Sequence, residues 1–281
     1  MQEGRLSVKI SLRARRGVAQ LVLTIDIGNS TTSIGLYGPD GKLRFRSDLA
    51  TSRNTSQDQC AISLMGVFTL YQADIQAVTG TIMSSVVPSV TGAMFKAIRM
   101  LTGKAPMVMG PGVKTGLNIK SDIHTQMGSD IVACSVAAIA KYPSPVIVID
   151  MGTAVTMSYL RGNTYEGCVI MPGIRVSLEA LSERAAELPH ISIAQPPSIF
   201  GHNTVDAMRS GVVYGNASMI DGMIQRLEDA SAPAAAVVAT GGNTLAVLRE
   251  CKRDILYDAD LLLDGLHLVY RKNIEAKQKK S

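Results

Sequence analysis

The stretch IDIGNSTTS at residues 25–33 brings together an acid, a glycine and four hydroxyl side chains at the end of an apolar run. Gly28 lets the backbone of a turn approach a ligand closely, because it has no Cβ. Backbone N–H groups and hydroxyls at such a turn can bind phosphate oxygens. The carboxylate of Asp26 repels a bare phosphate, but it suits the site if it holds Mg²⁺ or a water bound to it, because the cation reverses the local charge.

The same pattern recurs 124 residues later, where VIVIDMGTA at 146–154 corresponds to VLTIDIGNS at 22–30. The pairs at this offset are Asp26 with Asp150, Gly28 with Gly152, Thr32 with Thr156, and Leu36 with Leu160. One Asp-x-Gly after a strand is ordinary hairpin chemistry. Two copies at matching positions indicate a duplicated structural unit. We therefore predict two similar domains that face each other across a cleft, with both turns in it.

Apolar periodicity predicts the elements that position these turns. In the first half it predicts strands over 21–26, 32–38 and 41–48, a helix over 55–72, a strand ending near Val87, a helix from Pro88 to about Leu101, and a short strand in PMVMG. In the second half it predicts strands over 145–150, 155–160 and 165–170, helices over about 175–187, 203–230 and 261–272, and the strand AAVVAT before Gly241. This α/β pattern predicts domains over 21–140 and 141–273, with KYPSP at the junction.

The net charge of +5 is concentrated at the two ends of the chain. Ten of the 28 Lys and Arg residues lie in 1–20 and 271–281, which leaves 18 basic against 21 acidic residues between them. A nucleic-acid surface needs its charge on the folded body, so we expect no nucleic-acid partner. We expect residues 1–20 to be a disordered basic extension and residues 274–281 to be a solvated tail.

Composition excludes several other classes of protein. No uninterrupted apolar run reaches about 18 residues, so we expect no membrane span. The four cysteines and four histidines are widely spaced, without a CxxC pair. This spacing favours a reducing compartment and argues against a disulfide framework or a zinc site.

A third motif, VVATGGNTL at 237–245, runs from an apolar strand into Gly241 and Gly242. Bare backbone at two glycines suits an adenosine or ribose, although strand–Gly-Gly–helix is also an ordinary tight turn. Neither a Walker A motif nor the glycine-rich loop of protein kinases occurs. The two Asp-x-Gly turns and this motif together resemble the actin and sugar-kinase superfamily. The resemblance implies two duplicated ribonuclease H-like domains around a nucleotide cleft.

Six further motifs narrow the resemblance. They are GPGVKTGLNIK (110–120), GSD (128–130), DMGTA (150–154), PGIRVSLEALSERAAELP (172–189), GHNTVDAMRSGVVYG (201–215) and ATGG (239–242). Their combination resembles the type III pantothenate kinases from about Leu21 to Asn273. That family transfers the γ-phosphoryl group of ATP to the primary hydroxyl of pantothenate, the first step of coenzyme A synthesis. The resemblance implies Mg²⁺, a monovalent cation (K⁺ or NH₄⁺) and a cytoplasmic homodimer.

The resemblance also implies a set of site residues. The ATP phosphates would lie against Asp26, Ile27, Gly28, Asn29, Ser30, Thr31, Thr32 and Ser33. The nucleotide would also touch Thr153, Gly241 and Gly242, and Asp150 would ligate the monovalent cation as a metal ligand. The pantothenate pocket would be lined by Gly128, Ser129, Asp130, Ile131 and Thr204, with Asp130 as the catalytic base.

The sequence alone leaves a second interpretation open for Asp130 and for Asp150. Ser129 or Asp130 precedes the apolar run IVACSVAAIA and could cap a helix. As a base, Asp130 would instead orient the attacking hydroxyl and accept its proton. The two roles can coexist, because a helix N-terminus suits an anionic substrate and pantothenate is a carboxylate. Asp150 could equally be a turn acid or a Mg²⁺ ligand.

The chain departs from the family pattern on the acceptor side. Ile131 replaces the usual Arg, Ser121 the usual Tyr, and Ile123-His124 the usual Asn-Pro. An Arg at that position would pair with the pantothenate carboxylate. The candidate substitutes are Lys114, Lys120, His124 and Arg175. These departures leave two alternatives: a same-fold kinase of another hydroxyl compound, and a catalytically weak sensor of nucleotide or pantothenate.

Overall fold

The computed structural model describes residues 21–119, 127–242 and 245–278. The predictions for residues 1–20, for the segment 120–126 and for the last three residues fall outside these ranges. In the described part of the chain, no helix is both long and apolar enough to cross a bilayer.

The first sheet consists of β1 (Leu21–Ile27), β2 (Thr31–Tyr37), β3 (Leu43–Ala50), β4 (Val78–Ser85) and β5 (Met107–Val108). Its strand order is β3-β2-β1-β4-β5. The first three strands form an antiparallel meander, and β4 and β5 continue the sheet in parallel with β1.

The second sheet repeats this arrangement. It consists of β6 (Asn118–Ile119), β7 (Val146–Met151), β8 (Ala154–Arg161), β9 (Thr164–Pro172), β10 (Ala236–Thr240) and β11 (Leu256–Tyr257), in the order β11-β10-β7-β8-β9-β6. The strands β7 to β11 have the order and directions of β1 to β5, and β6 is an addition parallel to β9. The predicted duplication of an α/β unit is confirmed.

Helices cover both faces of each sheet. They are α1 (Gln57–Leu70), α2 (Pro88–Thr102), α3 (Ser129–Lys141), α4 (Ile174–Arg184), α5 (Thr204–Ala230), α6 (Leu245–Leu248) and α7 (Leu261–Gln278), with a 3₁₀ turn at Ile75–Ala77. The helices α1 and α2 pack on the outer face of the first sheet, and α4, α5 and α6 pack on the outer face of the second. The helices α3 and α7 lie between the sheets and pack against each other.

The middle layer decides which strand residues face the cleft. On β1, Leu23, Ile25 and Ile27 pack in the outer core with α1 and α2, whereas Val22 packs with Leu263 of α7. Successive side chains of a strand point to opposite faces, so Asp26 lies on the inner face with Val22. The second sheet repeats this pattern. Ile147, Ile149 and Met151 face outward, and Val146 and Val148 pack against α3, which puts Asp150 on the inner face.

Two segments cross between the halves of the chain. The strand β6, before residue 140, pairs in the second sheet, and α7 returns to pack on the first. The division of the chain into domains at residue 140 stays a prediction.

The helix expected over 261–272 continues to Gln278, supported by a pair between Arg271 and Glu275 at 3.6 Å, so residues 274–278 are helical.

Candidate active site

The first Asp-x-Gly turn joins β1 to β2 at the carboxyl end of β1. The N–H of Gly28 donates to the carbonyl of Thr31 at 3.0 Å and closes the turn. The side chains of Asn29, Ser30 and Thr31 are exposed at its tip. This tip therefore offers a carboxamide and two hydroxyls to a ligand.

The other residues predicted to cradle phosphates are already engaged within the fold. Ile27 is fully buried in the outer core. Thr32 is buried, with its hydroxyl 2.8 Å from that of Thr51. The hydroxyl of Ser33 donates to Asp48 at 2.6 Å. These side chains support the turn rather than form its exposed tip.

The second turn joins β7 to β8 and is one residue shorter than the first. Asp150 pairs with Thr156, whereas Asp26 pairs with Ser33. Residues after the turn therefore correspond at an offset of 123 instead of 124. The structural equivalent of Thr156 is Ser33, so the predicted alignment of Thr32 with Thr156 is one residue out. The same correction applies to every pair after the turn.

The two turns meet across the cleft. The hydroxyl oxygens of Ser30 and Thr153 lie 3.4 Å apart although the residues are 123 positions apart in sequence. Ser30 lies three residues before Ser33, which pairs with Asp26, and Thr153 lies three residues before Thr156, which pairs with Asp150. The duplicated turns therefore touch through equivalent residues. The structure thus brings together two residues that the family resemblance assigns to the nucleotide.

Three carboxylates share the inner space between the sheets. Burial first, and then the negative charges of Asp130 and Asp26, together raise the pKa of Asp150 to about 7. Cys134 lies one turn after Asp130 on α3 and senses the same charges. Burial raises the pKa of its thiol, and the charges of Asp150, Asp130 and Asp26 add to that effect. Two duplicated strand ends and the start of α3 therefore converge on one site.

Asp26 has a hydrogen-bond partner that the sequence did not indicate. The pKa of Asp26 is raised to about 7, mainly by burial. The hydroxyl of Ser84 partly offsets this effect by donating to Oδ1 of Asp26, and the charge of Asp130 adds to it. Ser84 lies on the neighbouring parallel strand β4, paired directly with Asp26, and is fully buried. It fixes the direction of the Asp26 carboxylate.

Asp130 lies in the first turn of α3 and is half-buried. The N-cap is Gly128, which makes no side-chain capping bond, so neither Ser129 nor Asp130 occupies the N-cap position. The Oδ1 atom of Asp130 accepts the N–H of Ile131 at 2.9 Å. This bond satisfies one backbone donor of the first turn and holds the carboxylate at the end of the helix that faces the two turns.

The double glycine of the third motif follows β10 and lies beside Asp150. Thr240 pairs with Asp150, and the next residue, Gly241, has a φ of 103°. A Cβ on Gly241 would lie 2.6 Å from the carbonyl oxygen of Met151, so this close approach requires glycine. A Cβ on Gly242 would meet no atom within 4 Å. Gly241 therefore lets the backbone pass close to the second turn, and Gly242 leaves open the space that a side chain would fill.

Gly173 supports the second turn from the start of α4. Its N–H donates to the carbonyl of Thr153 at 3.0 Å, and an added Cβ would lie 2.3 Å from that oxygen. The Pro-Gly at 172–173 is visible in the sequence, but its role is not, because the contact joins a turn and a helix 20 residues apart.

Thr204 lies away from this convergence. It is exposed at the start of α5 and lines a cavity of about 690 Å³ between α4 and α5. Leu181, His202 and Met208 also line that cavity, whereas Asp130 and the two turns do not. Within one chain, the structure does not join Thr204 to the acids.

Of the candidate basic substitutes on the acceptor side, Lys114 and Arg175 lie among the described residues. Ile131 packs partly into the core between α3 and the second sheet. The backbone of Lys114 is bound to Asn273 of α7. Arg175 is exposed in the first turn of α4 and lines a second cavity, of about 420 Å³, with His190. The other candidate substitutes, Lys120 and His124, and the changed positions Ser121 and Ile123 lie outside the described residues.

Comparison with known proteins is consistent with this geometry. Residues 22–226 match the family model of type III pantothenate kinase. The type III pantothenate kinase of Halalkalibacterium halodurans is 39% identical over 255 residues, which cover 90% of this chain and all of that protein. The corresponding enzyme of Geobacillus kaustophilus is 38% identical and covers 92% of this chain and all of that protein.

A solved structure gives the same fold at low sequence identity. The activator of 2-hydroxyisocaproyl-CoA dehydratase from Clostridium difficile, with bound ADPNP, superposes with a TM-score of 0.57 at 12% identity. The match covers 94% of this chain and 98% of the activator. The actin-like fold class predicted from the sequence is confirmed.

Proposed function

This chain belongs to the type III pantothenate kinase family, and we propose that it transfers the γ-phosphoryl group of ATP to the primary hydroxyl of pantothenate, the first step of coenzyme A biosynthesis. Membership of the family supports the substrate. The observation that carries the proposal in the geometry is the convergence of Asp26, Asp150 and Asp130 between the duplicated sheets.

We propose that the nucleotide lies between the two turns. The exposed tip residues Asn29, Ser30 and Thr31, with Thr153 opposite, provide donors for phosphate oxygens. The space beside Gly241 and Gly242 suits the adenosine, because a Cβ added to Gly242 would meet no atom within 4 Å. The remaining residues of 26–33 support this arrangement from within the fold.

The donor set of the site fits hard cations. Asp26 and Asp150 are half-buried, and their carboxyl groups have pKa values of about 7. A bound cation would stabilise both groups in the ionised form. No group of three or more His, Cys, Asp and Glu forms a complete metal site among residues 21–119, 127–242 and 245–278. Mg²⁺ is commonly held by one or two carboxylates together with water and substrate phosphates, which matches such a site. We assign Mg²⁺ to Asp26 and the monovalent cation to Asp150; bound there, the cations would neutralise phosphate charge.

Asp130 is the proposed catalytic base. Phosphoryl transfer leaves the protein mainly to position groups and neutralise charge. A carboxylate that hydrogen-bonds to the attacking hydroxyl orients it and accepts its proton. Gly128, Ser129 and Ile131 stand beside it at the start of α3 and are the proposed lining for pantothenate. The positive end of the helix dipole there also favours an anionic acceptor.

In KCl with ATP, Mg²⁺ and pantothenate, we expect the purified chain to form 4′-phosphopantothenate, with a severely lower rate when NaCl replaces KCl. The reason is the assignment of the monovalent cation to Asp150. Mass spectrometry of the product and a coupled assay of ADP measure the two rates. Tight nucleotide binding without turnover of any pantoyl compound would support a sensor instead. Equal rates in the two salts would remove only the cation assignment.

We further propose a homodimer built on the face around the Thr204 cavity. Four large apolar side chains are exposed on α4 and just before α5: Val176 (39%), Leu181 (44%), Ile199 (57%) and Phe200 (75%). Large exposed apolar patches commonly mark interaction surfaces. A dimer on this face places the Thr204 cavity between two chains. In such a dimer, Thr204 would contact pantothenate at the interface while Asp130 acts as the catalytic base.

Light scattering should give about twice the chain mass of 29.9 kDa for the wild type. We expect Phe200→Asp to shift the protein towards the monomer, because it buries a charge in the proposed interface. The matched control is Leu70→Asp on α1, where Leu70 is equally exposed at 73%. A monomeric wild type, or equal effects of both variants, would contradict the proposed interface.

A further inference from the structure

The loop that joins β3 to α1, residues 51–56, is tied to the first Asp-x-Gly turn. The N–H of Thr51 donates to the carbonyl of Ser30 at 3.0 Å. The hydroxyls of Thr51 and Thr32 lie 2.8 Å apart. At its other end, Ser56 and the side chain of Gln59 form a capping box that fixes the start of α1. Both ends of this short loop are therefore held in place.

Arg53 stands in the middle of this loop, beside the tip of the turn. It is exposed, and its Nη2 donates to the Oδ1 of Asn29 at 3.3 Å. An amide whose oxygen accepts a hydrogen bond presents its NH₂ group on the other side. The contact therefore sets the orientation of the Asn29 carboxamide at the tip, and it places a guanidinium beside the exposed donors.

Within the residues that the structure describes, Arg53 has no carboxylate partner, unlike the two arginines of β3, the strand that precedes its loop. Arg44 is paired with Asp40 at 2.8 Å, and Arg46 with Asp48 at 3.0 Å. Among the described residues, Arg53 forms no ion pair, and its bond to Asn29 leaves most of its five N–H donors for another partner. An arginine held in a fixed loop without a carboxylate partner is well suited to an external anion.

The charge of the site favours such a group. Three carboxylates, Asp26, Asp130 and Asp150, lie close enough below the turns to act on one another electrostatically. A polyphosphate entering this space meets negative charge, which positive groups at the rim must offset together with the cations. Guanidinium binds phosphate through two parallel hydrogen bonds, which adds direction as well as charge.

We propose that Arg53 is a nucleotide-binding residue that contacts the polyphosphate of ATP from the rim of the site, and that its bond to Asn29 turns the carboxamide NH₂ towards the same phosphates. This inference rests on the proposed function, since it takes the nucleotide to lie between the two turns. It adds a contact from outside both Asp-x-Gly motifs.

The test compares Arg53→Met with Arg53→Lys and with the control Arg44→Met, in the full chain. Isothermal titration calorimetry measures binding of MgATP and of adenosine without pantothenate. We expect Arg53→Met to weaken MgATP binding by about 10- to 100-fold, the usual range for a charged hydrogen-bonding group. Adenosine binding should not change, because adenosine has no phosphate. Arg53→Lys should lose less, and Arg44→Met should match the wild type.

The steady-state readout separates this role from a general loss of structure. The KM for ATP should rise in Arg53→Met, while the KM for pantothenate and the melting temperature stay close to the wild type. Unchanged MgATP binding, or equal losses for MgATP and adenosine, would overturn the assignment of Arg53. A wild type that binds MgATP but never phosphorylates pantothenate would overturn the proposed function alone. A wild type that binds no MgATP would overturn both.

Discussion

Replacing Asp130 with Asn should lower kcat for phosphorylation of pantothenate by about 10²–10⁴-fold, the usual contribution of a general base. Asn keeps the shape of the side chain and an oxygen that can accept the N–H of Ile131, so α3 should remain intact. It loses the ability to take the proton of the attacking hydroxyl. Steady-state kinetics with ATP and pantothenate measure the loss, and calorimetry with MgATP should show binding close to that of the wild type.

The control for this variant is Asp58→Asn. Asp58 also lies in the first turn of a helix, α1, but it is exposed on the outer layer of the first sheet. Both substitutions remove a favourable charge from a helix N-terminus, an effect of about 0.3–1 kcal/mol on stability. Only the change at Asp130 should affect turnover. A variant at position 130 that kept most of its kcat would show that the residue is not the base.

The duplicated architecture could be predicted from the sequence because both copies keep a strong local signal. An apolar run that ends in Asp-x-Gly is easy to recognise, and the strand order of the two sheets followed the predicted repeat. The alignment beyond the turn was one residue out, because the hairpin of Asp150 is shorter than that of Asp26. A turn that loses one residue keeps its chemistry but shifts the register of everything after it.

The face on which each acid lies could not be read from the sequence. The strand β7 is covered by helices on both sides, so VIVI at 146–149 is a continuous apolar run without alternation. In β1, Thr24 and Asp26 alternate with apolar residues, but this alternation does not show which face meets α3 and α7. Only the packing of Leu23 and Ile25 against α1 and α2 shows that Asp26 faces inward. The small strands β6 and β11, of two residues each, also lack any periodic pattern.

The supporting contacts of the site were missed for a different reason. Ser84 reaches Asp26 across 58 residues, and Arg53 reaches Asn29 across 24. Neither residue belongs to a motif, and each acquires its role from the pairing of strands or the path of a loop. Thr204 shows the reverse case. Its motif suggested the pantothenate pocket, but within one chain the structure places it in a separate cavity.

The chain without cations should become less stable as the pH rises from about 5.5 to 8.5. The pKa values of Asp26 and Asp150 are raised from the ordinary 3.8 to about 7. The stability contributed by each protonated carboxyl is complete below 3.8 and is lost as the pH rises through 7. Above pH 5.5 the remaining loss is about 2 kcal/mol for each group. For a chain of this size the pair should lower the melting temperature by about 10 °C, which calorimetry in a cation-free buffer can measure.

Cations should reverse this effect, because they favour the ionised carboxylates. Adding K⁺ and Mg²⁺ should therefore raise the melting temperature far more at pH 8.5 than at pH 5.5. Asp150→Asn cannot ionise, so it should remove about half of the pH dependence, whereas the exposed Asp58→Asn should leave it unchanged. The charge of Asp130 also raises both pKa values, so Asp130→Asn should move the loss of stability to lower pH. A cation-free protein that is most stable at pH 8.5, or an equal stabilisation by cations at both pH values, would show that these carboxylates do not form the proposed cation site.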